Sequence, residues 1–145
     1  MTQPLLIEII GEPGVGKTHL SLTFPKPFLI DTSPKYEAKA IARKVLGEGW
    51  EKRYHASRDL REIVQILSEV LDRDDVATVI IDTGADLQSL GAKEYLRRKR
   101  EAGKERAQVT QIEYGRVRDL IDDEVINYVI RHDKNLILTA QTGDT

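Results

Sequence analysis

The stretch Gly11-Glu12-Pro13-Gly14-Val15-Gly16-Lys17-Thr18 decides the fold of this chain. It fits the phosphate-binding pattern G-x-x-x-x-G-K-[ST]. The glycines let the backbone curl tightly, so that successive N–H groups can point at an anion. The lysine then supplies a positive charge to the phosphates, and the threonine hydroxyl can ligate Mg²⁺. We therefore predict that all eight residues form a phosphate-binding loop, with Thr18 as a metal ligand.

The residues on either side of this loop supply the context that the motif requires. Residues 5–10 (LLIEII) are apolar and rich in β-branched side chains, which predicts a buried strand. Residues 18–24 (THLSLTF) predict the first turns of a helix. Because the pattern is specific in a strand-loop-helix setting, we predict that the chain binds a nucleoside triphosphate, with ATP and Mg²⁺ as the expected pair.

Length and composition narrow the class of protein. The 145 residues are enough for a single domain with a full core, so we expect one domain over residues 1–145. The net charge of -2 argues against a globally basic nucleic-acid binder but leaves room for a local basic patch. The absence of cysteine excludes disulfides, zinc-thiolate sites and thiol catalysis. No apolar run approaches the roughly 20 residues of a membrane span, and the N-terminus lacks the layout of a signal peptide. We therefore expect a cytoplasmic protein.

Apolar strands alternate with helices along the rest of the chain. Further strands are predicted at 28–30, 53–56 (weakly, at a sheet edge), 76–83 and 135–141. Helices are predicted at 33–46, with Ser33 as N-cap, and at 57–73, 85–102 and 112–131. Nearly continuous apolar strands separated by helices predict an α/β fold, a mostly parallel sheet with helices on both faces.

Polar residues end two of the predicted strands. Asp82 follows an apolar run, and a carboxylate there can hold the water shell of a nucleotide-bound Mg²⁺, although an acid can also merely mark the end of a strand. Gln141 ends the last strand, and the carboxyl ends of parallel strands meet at the ligand-binding edge of a sheet. It could sense the γ-phosphate or the attacking water, or simply begin a loop. We predict a catalytic set of Lys17, Asp82 and Gln141, with Asp82 joining Thr18 as metal ligand.

The order of four segments, GEPGVGKT, FLIDTS, VIIDT and LILTAQ, resembles the RecA-like P-loop ATPase core. The chain looks most like the short phage and prokaryotic nucleotide-binding AAA-type proteins linked to single-strand annealing and recombination. The resemblance covers nearly the whole chain. It implies an ATP-binding P-loop NTPase fold of RecA-like type, Mg²⁺ dependence, homo-oligomerisation and contact with single-stranded DNA.

The chain departs from that family where a catalytic carboxylate is expected. In RecA-like proteins the strand after the P-loop helix commonly ends I-D-x-E, and the glutamate activates water. Here residues 30–33 read IDTS, and a hydroxyl such as Ser33 is a poor general base. Glu37, about one helical turn further on, is the candidate replacement, with Asp31 and Glu12 as weaker ones. We therefore expect slow intrinsic turnover.

A second departure is length. RecA-like cores continue past the sensor glutamine into a DNA-contacting loop and further strands. This sequence stops at residues 143–145, where that loop should begin. Either the sequence is shortened or the protein is a minimal core.

A basic segment follows the strand that ends at Asp82. Residues 93–106 hold seven lysines and arginines against three glutamates. In the RecA-like layout this region supplies a loop facing DNA, so the resemblance makes four cations the candidate phosphate contacts: Arg97, Arg98, Lys99 and Arg100. A solvated helix end with i,i+4 ion pairs is the alternative.

The leading hypothesis is an ATPase that acts in DNA recombination or single-strand annealing. One alternative is a nucleotide-ordered DNA-binding scaffold with little hydrolysis, which Ser33 would favour. Another is a small-molecule P-loop kinase, for which the arginines of residues 97–106 would form a lid over the phosphates. A GTPase is disfavoured because no N-K-x-D motif follows the core strands.

Overall fold

The computed structural model describes residues 3–12, 14–104 and 108–141. Its strands are β1 (Leu6–Gly11), β2 (Pro27–Asp31), β3 (Tyr54–Ala56), β4 (Thr78–Asp82) and β5 (Asn135–Gln141). All five pair in parallel in one sheet of order β1-β5-β4-β2-β3. The prediction of a parallel sheet is confirmed, and β3 lies at an edge as expected.

Within the described ranges, six α-helices connect these strands. They are α1 (Lys17–Ser21), α2 (Ala38–Leu46), α3 (Leu60–Val70), α4 (Leu87–Glu101), α5 (Tyr114–Ile121) and α6 (Asn127–Arg131). A π-helical turn at Asp122–Ile126 joins α5 to α6, and 3-10 turns occupy Trp50–Arg53 and Gly84–Asp86. Within the described residues no helix is long and apolar enough to cross a bilayer.

The helices cover both faces of the sheet, as predicted. On one face the segment after α1 and the helix α2 pack on the strands, and on the other face α3 to α6 do so. Successive side chains of β4 supply both cores, since Ile80 lies in the first and Ile81 in the second. Both isoleucines are fully buried, which explains why this strand is apolar without alternation.

The prediction that residues 5–10 form a buried strand is wrong. In the described part of the chain β1 pairs only with β5, so it is an edge strand. Its side chains alternate between exposed and half-buried, and Leu6 and Ile10 are 54% and 61% exposed. An apolar run signals burial on both faces only for a strand inside the sheet, and position in the sheet depends on strand order.

The second predicted helix begins later than expected, and Ser33 is not its N-cap. Tyr36 has φ 50, a left-handed conformation that a continuing right-handed helix cannot contain. The chain therefore turns through residues 33–37, and α2 begins at Ala38. The Ala38 N–H is bound by the Asp31 carboxylate at 3.2 Å. The helix α1 is also shorter than its predicted extent, since it ends at Ser21.

Candidate functional site

A pocket of about 280 Å³ lies at the carboxyl ends of β1, β4 and β5. Its lining gathers residues that are far apart in sequence: Gly14, Gly16, Lys17, Thr18, His19, Ser33, Glu37, Ala38, Ile41, Asp82, Thr83, Thr139 and Gln141. The structure therefore brings the predicted loop together with three of the other predicted residues, Glu37, Asp82 and Gln141.

The loop between β1 and α1 has the backbone that its glycines allow. Gly14 and Gly16 have φ 82 and φ 96, in the left-handed region that glycine occupies without steric cost. A Cβ on Gly11 would lie 2.9 Å from Val15 Cγ2, so this position can be occupied only by a residue without a side chain. Glu12 is exposed. Pro13, also predicted to belong to the loop, lies outside the described residues.

The Lys17 side chain folds back over this loop. Its Nζ donates to the Gly11 carbonyl oxygen at 2.6 Å and to the Glu12 carbonyl oxygen at 3.1 Å. An ammonium has three donors, so one remains for another acceptor. The Lys17 ammonium is therefore held against the backbone of the loop. The same backbone is predicted to surround the phosphates.

Asp82 is held by two hydroxyl groups from different parts of the chain. Thr18 Oγ1 donates to Asp82 Oδ2 at 2.6 Å, and Thr139 Oγ1 donates to Asp82 Oδ1 at 2.8 Å. Asp82 does not lie on the strand next to β1, because β5 lies between β1 and β4. The loop reaches across β5 through Thr18, and the carboxylate is oriented from both sides.

The oxygen atoms of Thr18 and Asp82 suit a Mg²⁺ ion. Both are hard oxygen ligands, and Thr18 donates its proton to the carboxylate, which leaves the hydroxyl lone pairs for a cation. No group of three or more His, Asp or Glu side chains among the described residues is arranged to hold a metal. Mg²⁺ usually takes one or two protein ligands and completes its shell with water and phosphate oxygens, which fits this arrangement.

Gln141 and Glu37 both line the pocket. Gln141 is exposed at the end of β5, in register with Gly11 at the start of the loop. Glu37 is exposed in the turn before α2, and its N–H donates to Ser33 Oγ at 2.9 Å. Each side chain therefore faces the same space as the loop, as a γ-phosphate sensor or a water-activating base would have to.

Asp31 and Ser33 have structural contacts instead. Asp31 is fully buried and accepts the Ser33 hydroxyl at 2.7 Å, the Ala38 N–H at 3.2 Å and the Tyr54 hydroxyl at 2.8 Å. Burial raises the pKa of Tyr54 above its ordinary value, and the bond to Asp31 adds to that shift. Because Asp31 does not line the pocket, these contacts fix the turn before α2 and give no support to Asp31 as a base.

Three threonines in and beside the site form structural contacts that the sequence did not predict. Thr139 bonds Asp82, and Thr83 Oγ1 donates to the Thr139 carbonyl oxygen at 2.9 Å. Thr32 Oγ1 donates to the Thr83 carbonyl oxygen and accepts the Thr83 N–H, which follows a cis peptide bond. The available signal was that a threonine follows the last acid of both β2 and β4.

The basic segment lies away from this pocket. Arg98 pairs with Glu94 and Glu124 at 2.8 and 2.7 Å, and Arg97 pairs with Asp59 at 3.3 Å. The other two candidate cations are Lys99, which lies 5.3 Å from the centre of the Tyr95 ring, and Arg100, which is exposed. None of the four lines the pocket, and residues 105–107 lie outside the described ranges.

Comparison with protein families identifies the chain. A family described as AAA domain matches residues 3–145, a range that includes every residue of the pocket. A search of curated proteins finds no match. The match to nearly the whole chain agrees with the five-stranded parallel sheet and the loop geometry. The chain therefore belongs to the AAA domain family and is a nucleotide-binding P-loop protein.

Proposed function

We propose that this chain is a Mg²⁺-dependent ATPase domain that acts on single-stranded DNA in recombination or strand annealing. The observation that carries the ATPase part is the 2.6 Å bond between Thr18 of the loop and Asp82 of β4. It puts the two expected metal ligands in contact beside the loop lysine. The DNA part is supported by the RecA-like order of the segments.

In this proposal each pocket residue has a distinct task. The loop N–H groups and Lys17 bind the phosphates, and Thr18 and Asp82 hold Mg²⁺, which when bound neutralises charge on the β- and γ-phosphates. Gln141 contacts the γ-phosphate or its attacking water. Glu37 is the carboxylate in the pocket lining best placed to accept a proton from that water. The resemblance to RecA-like ATPases also implies self-association, so we propose that the chain forms a homo-oligomer when ATP is bound.

A nucleotide-ordered DNA-binding scaffold is the second candidate. The observation in its favour is the state of Ser33, whose hydroxyl donates to Asp31 at 2.7 Å and accepts the Glu37 N–H at 2.9 Å. A hydroxyl used in this way does not serve as a base. If Glu37 does not replace it, ATP binding would order the assembly with little hydrolysis.

The test is ATP turnover with Mg²⁺, with and without a single-stranded oligonucleotide, in the wild type and in Lys17→Ala. We expect slow turnover that rises with DNA, and a loss on the order of 10²-fold in Lys17→Ala because a charge that stabilises the transition state is removed. Lys52→Ala is the matched control, since Lys52 is exposed on the 3-10 turn before β3 and outside the pocket.

Two outcomes would change the conclusion. Tight ATP binding without turnover in either condition would favour the scaffold. Turnover that is equal in Lys17→Ala and the wild type would contradict the proposal altogether.

A further inference from the structure

A second basic surface lies on α2 and the turn before it. We call it the α2 basic surface and define it by Lys35, Tyr36, Lys39, Arg43 and Lys44, all of which are exposed. Residues 35–45 hold four cations and one carboxylate, Glu37, a local excess of three positive charges (4 − 1). The chain as a whole has a net charge of -2, so positive charge is concentrated here.

The cations of this surface are available to a ligand. Among the described residues none of the four forms an ion pair or a side-chain hydrogen bond. The arginines of α4 differ, because Arg98 is held by two glutamates and Arg97 by Asp59. A phosphate arriving at Arg97 or Arg98 has to displace carboxylates, whereas one arriving at the four cations of α2 displaces only water.

An aromatic side chain lies among these cations. Tyr36 is 41% exposed and has φ 50, a conformation uncommon for a bulky residue. It borders an open groove of about 650 Å³ whose other lining residues are Glu37, Lys39, Ala40, Arg43 and Lys44. A positively charged groove with an aromatic face is the combination that holds a nucleic-acid strand, since phosphates follow the cations and bases stack on rings.

We propose that the α2 basic surface binds single-stranded nucleic acid. Lys39 and Arg43 are four residues apart and so lie on one side of the helix, where they contact neighbouring phosphates, and a base stacks on Tyr36. This inference deepens the proposed function and rests on it for the biological role of the bound nucleic acid. It places the nucleic-acid contacts on α2, whereas the sequence predicted them on α4.

The packing of α2 argues against insertion of this helix into an anionic membrane. A helix that binds a bilayer surface needs a free apolar face. The apolar face of α2 is already used, since Ala38 and Ala42 are buried in the core under the sheet. Apart from Ala40 and Val45, the exposed residues of α2 and the turn before it are mostly charged, with Tyr36 among them, which favours a polyanion with stacking groups.

The surface adjoins the nucleotide pocket. Glu37 lines both the pocket and the α2 groove, so the two sites share a wall. A ligand in one site that moves this turn therefore acts on the other, and the coupling is reciprocal. This gives DNA-stimulated turnover a physical route through the residue proposed as the base.

The test is fluorescence anisotropy with a labelled 20-residue oligo-dT over a range of NaCl concentrations. Each phosphate contact on a single strand contributes about −0.7 to the slope of log K against log salt. The double variant Lys39→Gln/Arg43→Gln should therefore reduce the slope by about 1.4 and weaken binding. Its control is Arg116→Gln/Arg118→Gln, which removes two exposed cations of α5 that have no ion pair among the described residues and should leave the slope unchanged.

A second pair of variants tests stacking separately from charge. Tyr36→Asn keeps a residue that tolerates the left-handed backbone and should weaken binding about tenfold without changing the salt slope. Tyr114→Asn removes another exposed tyrosine (47%) and should have no effect. Melting curves establish that each variant is folded before binding is compared.

The inference is overturned if the wild type binds no oligonucleotide, if the α2 and α5 double variants lose binding equally, or if only Arg97→Gln/Arg98→Gln flattens the slope. In the last case the proposed function survives and only the location fails. Binding of a fluorescent ATP analogue and ATP turnover, measured on the same samples, separate the two proposals. A strand bound at α2 by a protein that does not hydrolyse ATP supports the inference and contradicts the ATPase.

Discussion

Asp82 shows how few atoms define the candidate metal site. Its two carboxylate oxygens accept from Thr18 on the loop and Thr139 on β5, so the orientation of the group is fixed by two chain segments. Groups that hold a metal ligand in place contribute to metal affinity through the orientation of that ligand. Thr139 is therefore a positioning residue, although it is not itself a predicted ligand.

We expect Thr139→Val to weaken Mg²⁺-dependent ATP binding about tenfold, because second-sphere changes typically cost 10- to 100-fold in metal affinity. Thr139→Ser, which keeps the donor, should restore it. The measurement is calorimetric titration of ATP at several Mg²⁺ concentrations.

Thr78→Val is the control for that experiment. Thr78 is also fully buried in the sheet, but it lies at the start of β4, at the other end of the strand from Asp82. There it accepts a hydrogen bond from Asn135 of β5. Equal losses of binding in Thr78→Val and Thr139→Val would show that general destabilisation is responsible.

The sequence predicted the motif and the strand-end acid but not this threonine. Lys17 and Thr18 belong to a pattern with fixed spacing, and Asp82 follows an apolar run, so both signals are local. The contact between Thr139 and Asp82 depends on β5 lying beside β4. Nothing within residues 135–141 tells which side chain reaches the neighbouring strand.

At the scale of elements, the packing of α4 on α5 depends on one glycine. A Cβ on Gly91 would lie 2.8 Å from Ile121 Cδ1 and 3.1 Å from Val117 Cγ1. Both neighbours are buried in the core, so neither can move freely. The missing side chain at Gly91 allows the two helices to approach closely.

We expect Gly91→Ala to destabilise the protein by about 1–3 kcal/mol, the usual cost of overpacking a core. Gly115→Ala is the matched control, since Gly115 lies in α5 with no atom within 4 Å of an added Cβ. Alanine is the better helix former, so this variant should gain up to about 1 kcal/mol. Urea unfolding measures both, and a stabilised Gly91→Ala would contradict the packing.

The elements themselves were largely predictable, and the exceptions have physical causes. Helical periodicity located α3, and continuous apolar runs located β2, β4 and β5, because burial shapes the sequence of both kinds of element. The late start of α2 and the exposure of β1 follow from the left-handed Tyr36 and from strand order. Strand order depends on contacts between distant segments, which a local pattern does not encode.

At the scale of the whole molecule, a network of ion pairs joins α3, α4 and the π-helical turn. Glu94, with a side chain 1% exposed, binds Arg61 at 2.9 Å and Arg98 at 2.8 Å. Arg61 also pairs with Glu101, and Arg98 with Glu124. The arginines are about 40% exposed, so the buried carboxylate is the member that depends most on its partners.

We expect Glu94→Gln to lower the free energy of unfolding by about 2–3 kcal/mol, since it removes the central charge of a partly buried cluster. Glu101→Gln is the control and should cost much less, because that carboxylate is 54% exposed and its pair is screened by solvent. Equal losses would contradict the central role of Glu94. Urea unfolding near neutral pH compares the two variants.

The same network predicts a pH dependence with a definite sign. The hydrogen bonds from Arg61 hold the pKa of Glu101 below its ordinary value. The folded state therefore favours the charged form, so the contribution is present above the ordinary pKa of about 4.3 and is lost as the pH falls through the lower, folded-state value. Urea unfolding between neutral and acidic pH should show a shallower acid loss in Glu101→Gln than in the wild type.

The placement of β5 between β1 and β4 also sets the order of events during synthesis on the ribosome. In the part of the chain that the structure describes, the first strand pairs only with β5, which lies 130 residues further along the chain, as in the pair Leu6 and Leu136. At 5–20 residues per second, β1 waits roughly 7 to 26 seconds before its partner is made. During that interval its apolar side chains lack their partner in the sheet and are open to chaperones, and the nucleotide pocket cannot form until β5 is translated.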